Sequence, residues 1–203
     1  MPKKLLIIAC GALSWEIEWL RKANGWNDLN VKCIDAELHN YPDQIPGRVE
    51  SMLKKYAEAY SRIFVAYADR GTGGRLDSLL ISWGVERLPG AHCYEVYSTL
   101  PVFNKLMESE PGTFFLTDFL VRHFDRLILQ ALKLEQHPEL LESFFGRYRK
   151  LVYLAQTEDK KLTERAKWAA KKLNLNFERL WTGMGDLQKG LSTQILRFER
   201  QGA

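Results

Sequence analysis

The residues of this chain best able to do chemistry gather at a few places. Cys10 closes an apolar run and is followed at once by Gly11. A thiol at a strand end, close to a helix start, is placed where thiolate chemistry or metal ligation is favoured. The bland alternative is a small buried hydrophobe. Asp69, Arg70, Gly71, Thr72, Gly73, Gly74 and Arg75 then form one loop with three glycines between a strand and a helix. Glycine reaches left-handed backbone and admits a ligand close to the chain, and the helix start beyond offers N–H groups to an anion. Arg70 and Arg75 add fork-shaped donors suited to a carboxylate or phosphate. The loop is no P-loop, since Gly-Lys-Ser/Thr is missing, and its glycines do not fit the dinucleotide spacing. The competing reading is a tight turn with solvated arginines.

His39, in Leu38-His39-Asn40-Tyr41-Pro42, is a loop histidine able to serve as acid, base or ligand. His92 and Cys93 follow the Pro89-Gly90 turn. With Cys10 they make a conceivable metal set, although no Cys-x-x-Cys or His-x-x-x-His spacing supports one. Cys33 falls inside a strand and is expected in the core. The expected assignment gives Cys10, His39 and His92 to catalysis. Gly11 and residues 69–75 (Asp69, Arg70, Gly71, Thr72, Gly73, Gly74, Arg75) go to ligand binding. No residue is assigned to a metal, and no cofactor is identified.

The elements that must position these residues follow from the apolar pattern. Leu5–Ala9, Ile63–Tyr67 and Leu151–Ala155 are continuous apolar runs, the mark of strands buried on both faces. Val31–Ile34 and Leu175–Leu180 read as further strands, and Val85–Leu88 and Thr113–Leu116 as short extended pieces. Helices are expected from Ser14, as N-cap, to Ala23, over Arg48–Tyr60, Leu76–Trp83, Pro101–Met107, Phe119–Leu134, Glu139–Tyr148 and Lys160–Leu173, and in the tail after Asp186. Thr117 or Asp118 is a candidate helix cap. Strand, loop and helix alternate, which calls for parallel strands joined by right-handed crossovers. The expected fold is α/β, a mostly parallel sheet with helices on both faces, Rossmann-like or flavodoxin-like. Residues 1–203 are expected to form a single domain, with the helical stretch 117–149 as a candidate cap. In such sheets ligands bind outside the strands' carboxyl ends, which nominates the loops Cys10–Leu13, Ala68–Gly74 and Gln156–Glu158.

With 203 residues, 46% of them hydrophobic and 27% charged, the chain has the make-up of an ordinary globular protein. An odd three cysteines, and an opening apolar run too short for a signal peptide, point to reduced thiols and a cytoplasmic protein. No apolar stretch reaches membrane-spanning length. The net charge of +4 comes from basic residues interleaved with acids along the chain, which argues against nucleic acid and leaves room for an anionic small molecule.

Five stretches carry a resemblance. They are Ile7–Gly11, Leu38–Pro42, Tyr67 with Gly71–Gly74, Pro89–Cys93, and Pro111–Thr117. In this order, over roughly residues 5 to 180, they resemble the bacterial and archaeal family called domain of unknown function sixteen thirty-eight. That family resembles one with cysteines after the first strand, in the glycine loop and beside the histidine after the Pro turn, a thiolate-rich set suited to a metal or cofactor. Here Cys10 matches the first place. Asp69, Arg70 and Thr72 stand in the second, and Cys93 lies one position before the third, so the chain resembles a divergent member. The resemblance implies a role beside corrinoid-dependent methyl transfer in one-carbon metabolism, with a corrinoid protein or methyltransferase as partner. Three expectations follow: an anion-binding enzyme or binding protein of that metabolism, a metal-binding protein using Cys10, His92 and Cys93, or a non-catalytic docking module for a corrinoid protein.

Overall fold

The computed structural model describes residues 5–69, 71–90 and 92–200. Strand β1 (Leu5–Cys10) has every residue buried, and the helix α1 (Ser14–Ala23) follows it after a 3-10 turn over Gly11–Leu13. Next come β2 (Leu29–Ile34), a 3-10 turn over Ala36–Asn40, α2 (Ile45–Tyr56), β3 (Arg62–Ala66), α3 (Arg75–Trp83) and β4 (Glu86–Arg87). These strands form an all-parallel sheet in the order β2-β1-β3-β4. Its register aligns Cys10 with Ile34 and Ala9 with Ala66, so the three following loops leave from one edge.

Helices α4 (Cys93–Ser98) and α5 (Leu100–Ser109) lead to β5 (Thr113–Thr117), then α6 (Asp118–Arg122), a π-helical segment over Asp125–Gln130, and α7 (Leu140–Phe145). The chain continues through β6 (Lys150–Ala155), α8 (Lys160–Lys172), β7 (Asn176–Trp181) and α9 (Gly185–Arg200). Strands β5, β6 and β7 make a second all-parallel sheet in that order.

The α/β class with parallel sheets and flanking helices is as expected, but the strands make two sheets where one was anticipated. The chain divides accordingly into two compact units, Met1–Val96 with Asp186–Ala203, and Tyr97–Gly185. The stretch 117–149, considered as a cap, supplies core to the second unit. Val121, Phe124, Leu129, Leu134 and Phe145 cluster with Leu116, Leu151, Tyr153 and Ala155. Each of the leucine, valine and phenylalanine side chains among them contributes roughly 1.5–3 kcal/mol by leaving water.

Helix α8 illustrates how sequence dictates an element. Asp159 caps it, accepting from the N–H groups of Lys161 at 2.8 Å and Leu162 at 3.3 Å. Leu162, Ala166, Ala169, Ala170 and Leu173 repeat at helical spacing and are buried, leaving the lysines outside. Two local expectations fail. Ser14 does not cap α1; its hydroxyl donates to the Gly11 carbonyl at 2.8 Å, because the 3-10 turn has already begun the helical path. Cys33 is exposed rather than core, since β2 is the sheet's edge strand. On α1, Ile17 and Leu20 are buried while Trp15 and Trp19 remain about half exposed.

Candidate functional site

In the order β2-β1-β3-β4 the chain passes from β1 to one side and then back to the other. The crevice at the carboxyl ends of β1 and β3 is therefore the topological switch point, where such sheets bind ligands. Cys10 stands at the end of β1. Its fully buried thiol caps the 3-10 turn, accepting from the Ala12 N–H at 3.4 Å.

His39 is carried to the same place by the turn after β2. Asp35 starts that turn by accepting from the Glu37 N–H at 3.0 Å. The Nδ1 of His39 lies 2.9 Å from the carbonyl oxygen of Ala36. A carbonyl can only accept, so Nδ1 carries a hydrogen, and in the neutral ring Nε2 then keeps its lone pair. Both ring nitrogens lie 3.8 Å from Cys10 Sγ. In that tautomer Nε2 is the ring acceptor within 3.8 Å of the thiol. Tyr67, buried just past β3, sets its ring 5.9 Å from the imidazole, tilted by 43°.

The glycine loop is built as a cap. Gly71, Gly73 and Gly74 have φ of 71°, 64° and 80°, left-handed values that explain all three glycines. The loop's anion is its own. Asp69 accepts from the Thr72 hydroxyl and, through its other oxygen, from the Gly74 N–H at 3.3 Å. Thr72 is buried, with its hydroxyl oxygen 3.3 Å from the Leu76 N–H and its carbonyl accepting from Arg75 Nε at 2.9 Å. The Gly74 and Leu76 N–H groups expected to face a ligand are thus already used, and Arg75 folds back on the loop. Arg70 lies outside the described residues.

His92 follows β4 and the Gly90 turn, and the Gly90 carbonyl accepts from the Asp69 N–H at 3.4 Å, tying the two loops at the same edge. Cys93 is buried as the first residue of α4. Among the described residues, no three His, Cys, Asp or Glu side chains gather as a metal-binding group. Sequence reasoning missed Arg87. It binds both oxygens of Asp77, at 2.5 and 2.9 Å, and donates to the carbonyls of Leu88 at 2.6 Å and Gly90 at 3.0 Å. That bond holds Asp77 below the usual carboxylate range. The signal was faint: one arginine beside Glu86 in the short extended piece Val85–Leu88.

The third nominated loop belongs to the other sheet. In the second unit, Gln156 and Thr157 turn onto Asp118, a buried carboxylate at the end of β5. One oxygen of Asp118 accepts from the Tyr153 hydroxyl at 2.7 Å and the Gln156 N–H at 3.0 Å, the other from the Thr157 hydroxyl at 2.5 Å. The Asp118 N–H in turn donates to the Gln156 side chain at 2.7 Å. Thr117 caps α6, as one of the two expected candidates, with Oγ1 3.4 Å from the Leu120 N–H. No helix among the described residues is long and apolar enough to cross a membrane.

No curated protein and no solved structure matches the chain. The family model described as "Protein of unknown function (DUF1638)" matches residues 33–191, and the chain belongs to that family.

Proposed function

We propose that this member of the DUF1638 family binds a small anionic molecule at the carboxyl edge of its four-stranded sheet, where Cys10, deprotonated by His39, is the reacting group. One observation carries the reading: a thiol and an imidazole 3.8 Å apart at the switch point, with the ring's other nitrogen held by a carbonyl. The anionic character of the ligand draws on the net charge of +4. With Asp69 already seated at the start of α3, the ligand belongs toward the Cys10 side of the crevice.

On the family resemblance alone we extend the proposal to one-carbon metabolism. A thiolate is a soft, strong nucleophile toward carbon, the property a methyl-handling protein needs. A corrinoid protein or a methyltransferase is then the partner to test.

Two measurements test the proposal. In a Cys33→Ser background, the ultraviolet thiolate absorbance of Cys10, read as the difference from Cys10→Ser, is titrated with and without His39→Ala. The midpoint is expected to rise when His39 is removed; superimposed curves overturn the pair. Mass spectrometry of small molecules released from the purified protein is expected to find an anion that is lost in Cys10→Ser. A neutral or cationic molecule there overturns the ligand class.

A further inference from the structure

We infer that Gly11 is the positioning residue of the Cys10–His39 pair, through the room it leaves for the chain after β2. The inference rests on the reading of that pair given above. A β-carbon at Gly11 would stand 3.0 Å from the Ile34 carbonyl oxygen, 3.3 Å from the Ala36 nitrogen and 3.6 Å from the Ala36 β-carbon. The two nearest atoms are backbone, with no flexible end to swing aside, so the segment Ile34–Ala36 itself must move by a few tenths of an ångström.

That segment holds the imidazole. The Ala36 carbonyl is the acceptor of His39 Nδ1 at 2.9 Å, and Ala36 opens the turn on which His39 sits. The ring nitrogens are already 3.8 Å from sulfur, near the outer limit of a useful contact. A displacement of Ala36 passes through one hydrogen bond to the ring and weakens the proton acceptor of Cys10.

The reason for this glycine differs from that of the glycine loop. Gly73 and Gly74 have open space but left-handed φ, so they are needed for their dihedral angle. Gly11 is not among the positive-φ glycines and has backbone crowded against it, so it is needed for its missing side chain. Any other residue fits its dihedral angles and fails on space.

The test is a thiolate titration of Cys10, read as the difference from Cys10→Ser, in Gly11→Ala, His39→Ala and the double variant, all carrying Cys33→Ser. Circular dichroism and the melting temperature check the fold. Gly11→Ala is expected to cut the thiolate fraction at neutral pH on the order of tenfold, as His39→Ala does, with no further loss in the double variant. A wild-type profile for Gly11→Ala beside a shifted His39→Ala overturns the positioning role alone. An unshifted His39→Ala overturns the pair, and the Gly11 inference with it. If Gly11→Ala fails to fold, Asp35→Ala loosens the same turn from its exposed cap. A folded Asp35→Ala with a raised thiol midpoint supports the relay, and one with the wild-type midpoint overturns it.

Discussion

The hydroxyl of Tyr153 donates to Asp118 at 2.7 Å across two neighbouring strand ends, β6 and β5. Burial, followed by the bond to this carboxylate, pushes the Tyr153 phenol far above its ordinary value. A group whose folded pKa is raised contributes stability that is complete below its unfolded pKa and is lost as pH rises past it. The window therefore opens near pH ~10, where an unfolded tyrosine ionises. Urea midpoints should fall as pH rises from ~9 to ~11, and Tyr153→Phe should flatten part of that fall. An unchanged slope in Tyr153→Phe would assign the alkaline loss to other groups.

Asp118→Ala leaves the Tyr153 and Thr157 hydroxyls and the Gln156 N–H without their shared acceptor. Buried donors stranded in this way cost on the order of 3 kcal/mol together. Denaturant unfolding of the full chain measures it, and a loss under ~1 kcal/mol would mean that water or a neighbour replaces the carboxylate.

Arg87→Lys keeps the charge but gives up the fork that spans both oxygens of Asp77 and two carbonyls. A destabilisation of about 1–2 kcal/mol is expected. Asp77, held low chiefly by that bond, should titrate closer to an ordinary carboxylate in the variant, read by carbon NMR. Because its folded pKa is lowered, its contribution is present above the unfolded value near pH ~4 and is lost as pH falls from there through the folded value.

Gly74→Ala places a side chain at φ 80°, with room for it but in a region that side chains avoid. The expected cost is about 1 kcal/mol or more, read as a lower melting temperature. The Cys10 thiolate titration should be unchanged, since Gly74 belongs to the cap of α3 and not to the thiol's surroundings.

The strands β1, β3 and β6 were legible because unbroken apolar runs leave no other place for them than a sheet covered on both faces. What was not legible is partnership at a distance. Nothing in the order of residues distinguishes a third strand of one sheet from the first strand of another, so two sheets read as one. Cys33 has a strand's neighbours, and only the position of β2 at the edge exposes it. Cys10 and His39 were both nominated, yet the Ala36 carbonyl that fixes the imidazole tautomer carries no side-chain signal. Asp118 was noticed only as a cap. Its donors sit 35 to 39 residues away, beyond any local pattern. The glycine loop's need for left-handed backbone is legible in its three glycines, but the hydrogen bonds that make Asp69 the loop's own anion are not.

The first unit is made of two separate stretches of chain, with the whole second unit threaded between them. Helix α9 brings Leu187, Leu191 and Ile195 into its core, and Gly190 lies so close to Leu88 that a β-carbon would come within 3.0 Å. Gln194 and Arg197 bind Glu86, on a strand made more than a hundred residues earlier. During synthesis the second unit is contiguous and can close as soon as it emerges. The first must wait, its four strands laid down but one side unfinished, until α9 has been made. The crevice at the carboxyl ends of β1 and β3 thus belongs to a unit that closes only after the segment interrupting it has been made.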